Sequence, residues 1–415
     1  MGSTTQYPSP DQPFAIKQIN RLGRGLSAVG FSKPRLSPDR LIAKACQKSG
    51  LSNFGDESFR LGLDKLCESF EHEAKLSQIG RIAARQLLLD NLALRLQIVE
   101  YRKQHPEVAK QTIERPLFVL GLPRTGTTIL YELLAQDPAH RSPASWEVLS
   151  PFPPARQESF TTDPRIKAAE EHLNKIEILA PGFKAIHEIG ARLPQECVSL
   201  LAAHFISDQF GASYSIPEYR RWSLNQDMTA TYQWHYQFLQ HLQADYRKTR
   251  WVLKTPAHLP YLDTIIKQYP DAALVHTHRD PVDVMGSISS LACTLHSAFS
   301  DKIDPMATGR REAEFFSTTL NKSIALRDAM PDADKRFFDV QFDDIVADPI
   351  KVIESIYQHF DFPFTPEARA AMQHYLDNRP RDKHGRHHYK LEDYGLSRDE
   401  LGVLFGDYCQ RFGMD

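Results

Sequence analysis

The eight residues Gly121-Leu-Pro-Arg-Thr-Gly-Thr-Thr128 constrain this chain more than any other stretch. They stand between an apolar run, Leu117-Phe-Val-Leu120, and the mixed run Ile129-Leu-Tyr-Glu-Leu-Leu134, an order that reads as strand, tight loop and helix. The frame GxxxxG with two hydroxyl residues behind it is that of a loop whose backbone N–H groups wrap an anion, aided by the partial positive charge of a helix start. A Walker lysine is missing: Thr127 stands where it would be, and the cation comes earlier, at Arg124. One guanidinium, two hydroxyls and backbone donors suit an anion smaller than a metal-bound triphosphate, and a phosphosulfate is one such group.

Three more strand-like runs follow, Arg250-Trp-Val-Leu253, Ala272-Ala-Leu-Val-His276 and Phe337-Phe-Asp-Val-Gln341. Strands separated by helical segments predict an α/β fold, a P-loop-type parallel sheet flanked by helices on both faces. Upstream, Leu88, Leu92, Leu96 and Val99 recur at helical spacing after Leu63, Leu66 and Phe70, so residues 37–105 are expected to form two or three helices. His105-Pro106 ends the last of them, because the residue before a proline avoids the helical region. Residues 1–38, rich in Pro, Ser and Gly, read as a loosely held arm. The expected division is an α-helical N-terminal extension over 1–113 and a P-loop domain over 114–415.

A chain of 415 residues with 41% hydrophobic and 25% charged residues is neither disordered nor collagen-like. Fifty Lys and Arg against 52 Asp and Glu leave a formal charge of -2, so no nucleic-acid partner is expected, although a local basic pocket is compatible with that balance. Cys46, Cys67, Cys197, Cys293 and Cys409 are an odd number without CxxC spacing, which argues for a reducing compartment rather than a disulfide framework. No apolar run approaches the roughly 18 residues of a membrane span, and the first residues lack a secretory signal. A soluble, cytoplasmic protein without an integral membrane segment is expected, and a homo-oligomer is left open.

A second anion anchor lies 155 residues beyond Arg124, where Arg279 ends an apolar run and Ser287 follows eight residues later in the next helical segment. An Arg at a strand end and a hydroxyl two turns into the following helix can converge on one phosphate. Lys254 closes the run Trp251-Val-Leu253, at the end of a strand where such sheets place ligand groups. The segment from Arg379 to Lys390 gathers three Arg, two Lys and three His, and reads as an anion-facing loop more readily than as a metal site. These residues leave open a phosphosulfate-using transferase, a P-loop kinase or NTPase, and a non-catalytic nucleotide-binding protein.

Pro123-Arg-Thr-Gly-Thr-Thr128 and the Arg279 to Ser287 pair, in that order, resemble the two signatures of the sulfotransferases that use 3′-phosphoadenosine-5′-phosphosulfate (PAPS), in the bacterial-type subgroup whose phosphosulfate loop carries Arg. The resemblance implies that Arg124, Thr125, Gly126, Thr127 and Thr128 hold the 5′-phosphosulfate and that Arg279 and Ser287 hold the 3′-phosphate. It also implies that Lys383, His384 and Gly385 close over that phosphate and that Arg124 and Lys254 stabilise the transferring group. The expected activity is sulfuryl transfer from PAPS to a hydroxyl of a small molecule, lipid or carbohydrate, in line and with general-base assistance. No metal is expected. For the base, the resemblance favours Glu147, 23 residues after Arg124, over His258 in Lys254-Thr-Pro-Ala-His258. Glu196 ranks behind both, as a charge at a helix start. The aromatic residues between 160 and 250 read as core more than pocket and do not identify the acceptor.

Overall fold

The computed structural model describes residues 13–28, 35–179, 188–379 and 389–414. Five strands form one parallel sheet: β1 (Leu117–Gly121), β2 (His140–Arg141), β3 (Arg250–Lys254), β4 (Ala273–His278) and β5 (Phe337–Gln341), in the order β2-β3-β1-β4-β5. The α/β expectation is borne out. Four of the strands are those the apolar runs predicted. The fifth, β2, is a two-residue edge strand of charged and polar composition with no apolar run to announce it.

Residues of β1 alternate between two cores, as the period of a strand requires. Leu117 and Val119 pack with Leu130, Leu133 and Leu134 of the helix after the loop and with Ile353 and Ile356. Phe118 and Leu120 face the opposite side, with Leu253, Leu262, Ile265 and Leu274. Burial on both faces explains why the run reads as continuously apolar rather than alternating. The register sets β1 Val119 opposite β3 Lys254 and β1 Gly121 opposite β4 Thr277, so β3 ends two residues before β1 and β4 runs one residue past it.

Before the sheet come α1 (Phe14–Ala28), α2 (Pro38–Ser49), α3 (Phe59–His72) and α4 (Gln78–Gln104), the last capped by His105 as the proline signal predicted. The helix α1 lies where the sequence suggested only a loose arm. Leu63, Leu66 and Phe70 of α3 and Leu88, Leu92 and Leu96 of α4 share a core with Phe205, Phe210, Tyr214 and Tyr219. Those aromatics are therefore packing residues. Arg95 of α4 is buried between the rings of Phe59 and Trp234, 4.8 and 4.4 Å from their centroids, and donates from Nε to the Phe54 carbonyl at 2.8 Å. No described helix is long and apolar enough to cross a membrane.

Candidate active site

The loop leaves β1 at Gly121, whose φ of 141° and crowded surroundings exclude a side chain: a Cβ there would run into the Thr277 and Thr125 hydroxyls. Arg124 adopts φ 73°, a left-handed conformation unusual for a residue with a Cβ, and Gly126 follows at φ 86° immediately before α5 (Thr127–Leu134). Such turns aim successive backbone N–H groups inward, and strain of this kind persists only where the surroundings fix it. Here the fixing comes from beneath. The buried Thr125 hydroxyl donates to the Leu122 carbonyl at 2.7 Å and lies 2.7 Å from the Thr277 hydroxyl of β4. Thr127 is buried at the helix start, whereas Thr128 is only half-buried and Arg124 is exposed.

The second anchor meets the first. Arg279 follows β4, and its Nη1 donates to the Arg124 carbonyl at 3.1 Å while its guanidinium lies 4.2 Å from the centroid of the Phe342 ring. The next helix, Pro281–Phe299, is capped by the Asp280 carboxylate, which accepts from Val282 N–H at 2.8 Å, and carries Ser287. Beside Ser287, the absence of a side chain at Gly286 admits the ring of Tyr389, which a Cβ would strike. Lys383, His384 and Gly385 lie outside the described residues. Of the described residues that flank them, Arg379 pairs with Glu132 of α5 at 2.9 Å, and Tyr389 packs on the helix of Ser287.

Lys254 ends β3 with its side chain 4% exposed. Its Nζ donates to the Glu196 carboxylate at 2.5 Å and to the Thr128 hydroxyl at 3.5 Å, so one ammonium links a carboxylate to the loop. Glu196 occupies the N-cap position of the short helix Cys197–Ala202, but its side chain makes no capping bond. It reaches toward the site instead.

The two favoured bases are engaged by other partners. Glu147 is 1% exposed, and its two oxygens accept from Nη1 and Nη2 of Arg141, both at 2.9 Å, while Oε1 also accepts from Ala144 N–H at 2.8 Å. Arg141 is itself held among the rings of Phe160, Tyr246 and Trp251. This carboxylate, with three of its roughly four lone-pair sites filled by N–H donors, fastens the start of the helix Ser145–Leu149 to the edge strand as the partner of a buried guanidinium. His258 is fully buried behind β1, its Nδ1 2.7 Å from the Tyr232 hydroxyl. Burial, reinforced by the neighbouring His235, pushes its pKa well below the usual range. Of the three candidate bases, Glu196, ranked last from the sequence, is the one whose carboxylate reaches Lys254. Thr277 and Phe342, which brace the loop and Arg279, were not anticipated at all.

A sequence model described as the sulfotransferase family matches residues 116–366. The crystal structure of sulfotransferase STF1 from Mycobacterium tuberculosis H37Rv superposes with a TM-score of 0.81 at 33% identity, covering 91% of this chain and all of that one. Sulfotransferase STF9 from Mycobacterium avium gives 0.83 at 31% identity, over 93% and 98% of the two chains. Among curated proteins, the omega-hydroxy-beta-dihydromenaquinone-9 sulfotransferase Stf3 of Mycobacterium bovis is 25% identical over 321 residues, 72% of this chain and 75% of that protein. With a family model spanning residues 116–366 and two solved sulfotransferases at 33% and 31% identity over 91% and 93% of its length, this chain belongs to the sulfotransferase family and is a transferase.

Proposed function

We propose that the sulfuryl donor is PAPS, that Glu196 is the general base and that the acceptor is a lipid hydroxyl. The observation that carries the reading is the chain Glu196–Lys254–Thr128, in which a carboxylate and an ammonium meet at the phosphosulfate loop. Arg124, Thr125, Gly126, Thr127 and Thr128 hold the 5′-phosphosulfate through N–H groups, hydroxyls and the guanidinium. Arg279 and Ser287 hold the 3′-phosphate, with Lys383, His384 and Gly385 closing over it. Donor binding draws the Lys254 ammonium from Glu196 to the oxygen bridging phosphorus and sulfur, which frees the carboxylate. Glu196 then takes the acceptor proton as the new O–S bond forms. The old O–S bond breaks in line with it, and its electron pair stays on the nucleotide phosphate, stabilised by Lys254.

In this reading residues 114–415 handle the nucleotide in the cytoplasm and residues 1–113 are a helical extension. The lipid class rests on one observation. The curated relative is named for a hydroxylated menaquinone derivative. Incubation with PAPS labelled in its sulfuryl group is expected to label an omega-hydroxylated prenyl quinone in preference to monosaccharides and simple phenols. Label passing only to the sugars or phenols removes the lipid assignment.

A further inference from the structure

Behind the lysine that meets the loop lies a cluster that sulfuryl transfer does not use. The Cys197 sulfur and one ring nitrogen each of His235 and His258 lie within 4.8 Å of one another, and all three residues are fully buried. They come from separate elements: the first turn of the helix Cys197–Ala202, the middle of the helix Thr229–Leu242, and the turn Pro256–Tyr261. In each imidazole Nδ1 is engaged by a tyrosine hydroxyl at 2.7 Å, Tyr269 for His235 and Tyr232 for His258. The Nε2 atoms of both rings have no hydrogen-bond partner. Two unpartnered imidazole nitrogens in a dry core are costly, and outer hydroxyls that fix the ring orientation are what metal-binding histidines commonly have.

We infer that Cys197, His235 and His258 form a binding site for one soft, monovalent d¹⁰ ion, of which copper(I) is the biological example. Thiolate with imidazole selects soft ions. The cluster offers three donors, one short of the closed four-ligand shell usual for structural zinc. Charge decides in the same direction: one thiolate neutralises a monovalent ion, whereas a divalent ion leaves a net positive charge in an apolar core beside the rings of Phe118, Tyr232 and Tyr269. Binding exchanges the Cys197 thiol proton for the metal and changes no oxidation state. Cys197 follows Glu196 in sequence and Glu196 accepts from Lys254, so the ion would brace the Lys254–Glu196 pair from behind.

The full-length chain is titrated anaerobically with copper(I) against a chromophoric copper(I) chelator, and X-ray absorption at the copper edge reads the donors. One tightly held equivalent is expected, with one sulfur and two nitrogens in its shell and a higher melting temperature than the ion-free chain. Cys197→Ser, His235→Gln and His258→Gln each lose that equivalent, whereas Cys46→Ser and Cys409→Ser keep it. Retention of copper by the folded Cys197→Ser chain, a shell of two sulfurs, or no copper held against the chelator overturns the site. Stoichiometric zinc(II) bound in preference to copper(I) overturns the assignment of the ion. The X-ray absorption result on the unsubstituted chain decides the matter even if every cluster variant fails to fold.

Discussion

Lys254→Met is expected to lower the turnover of sulfuryl transfer by about 10²–10³, the scale on which loss of one group stabilising a developing negative charge is felt. The substitution keeps most of the volume of a side chain that is only 4% exposed and removes its charge, so packing is largely preserved while the stabilised oxygen loses its partner. Glu196 is then left without its ammonium, and nothing replaces the positive charge at the leaving phosphate. Restoring a positive charge as Lys254→Arg is expected to recover little. The planar, larger guanidinium does not fit a slot that places Nζ 2.5 Å from Glu196 and 3.5 Å from Thr128. The check is single-turnover transfer from saturating PAPS. A chain with Met at 254 and unaltered turnover would make Lys254 no more than a partner for Glu196.

Glu196→Gln should cost roughly 10² in turnover, the contribution of a positioned base. Gln keeps an oxygen that accepts from Lys254 and loses only the ability to hold a proton. Nucleotide affinity should hold or improve, since a negative charge near the donor's anionic groups is removed. Glu147→Gln should behave in the opposite way. One oxygen of the bidentate pair with Arg141 becomes an N–H₂ facing a guanidinium that is 2% exposed, and breaking one side of a buried pair costs about 3–5 kcal/mol of stability. Its turnover, measured at a temperature where the variant remains folded, should match the parent. Normal turnover in Glu196→Gln together with a 10² loss in folded Glu147→Gln would return the base to Glu147.

These two carboxylates show what the sequence holds and what it does not. The loop, Lys254, Arg279 and Ser287 are legible because each is fixed by local grammar: an apolar run defines a strand, and the residues at its carboxyl end face the ligand edge of a parallel sheet. The same grammar marks β1, β3, β4 and β5. It fails for β2, where His140 and Arg141 form a strand through pairing with Arg250 and Trp251 rather than through their own character. The base is a question of partnership across long separations. Glu196 meets Lys254 58 residues away, and His258 is sealed by Tyr232 26 residues away, contacts that no short-range spacing encodes. For Glu147 a local signal did exist. It stands three residues after Ala144 at the start of a short helix, where an acid commonly reaches back to the chain, as its bond to Ala144 N–H shows. The aromatics from Phe205 to Trp234 were legible as core, because buried aromatic side chains at helical spacing dominate packing between helices.

In the proposed reading the loop and Arg279 form one pocket for a 3′,5′-bisphosphorylated adenosine that needs no metal. Isothermal titration of the full chain with adenosine 3′,5′-bisphosphate and with ATP, each with and without Mg²⁺, tests it most directly. The bisphosphate should bind equally well with or without Mg²⁺ and more tightly than ATP, and Arg279→Ala should weaken it by about 1.5–3 kcal/mol, the value of a hydrogen bond to a charged group. Preference for Mg-ATP, or bisphosphate binding indifferent to Arg279, would contradict the assignment of this pocket.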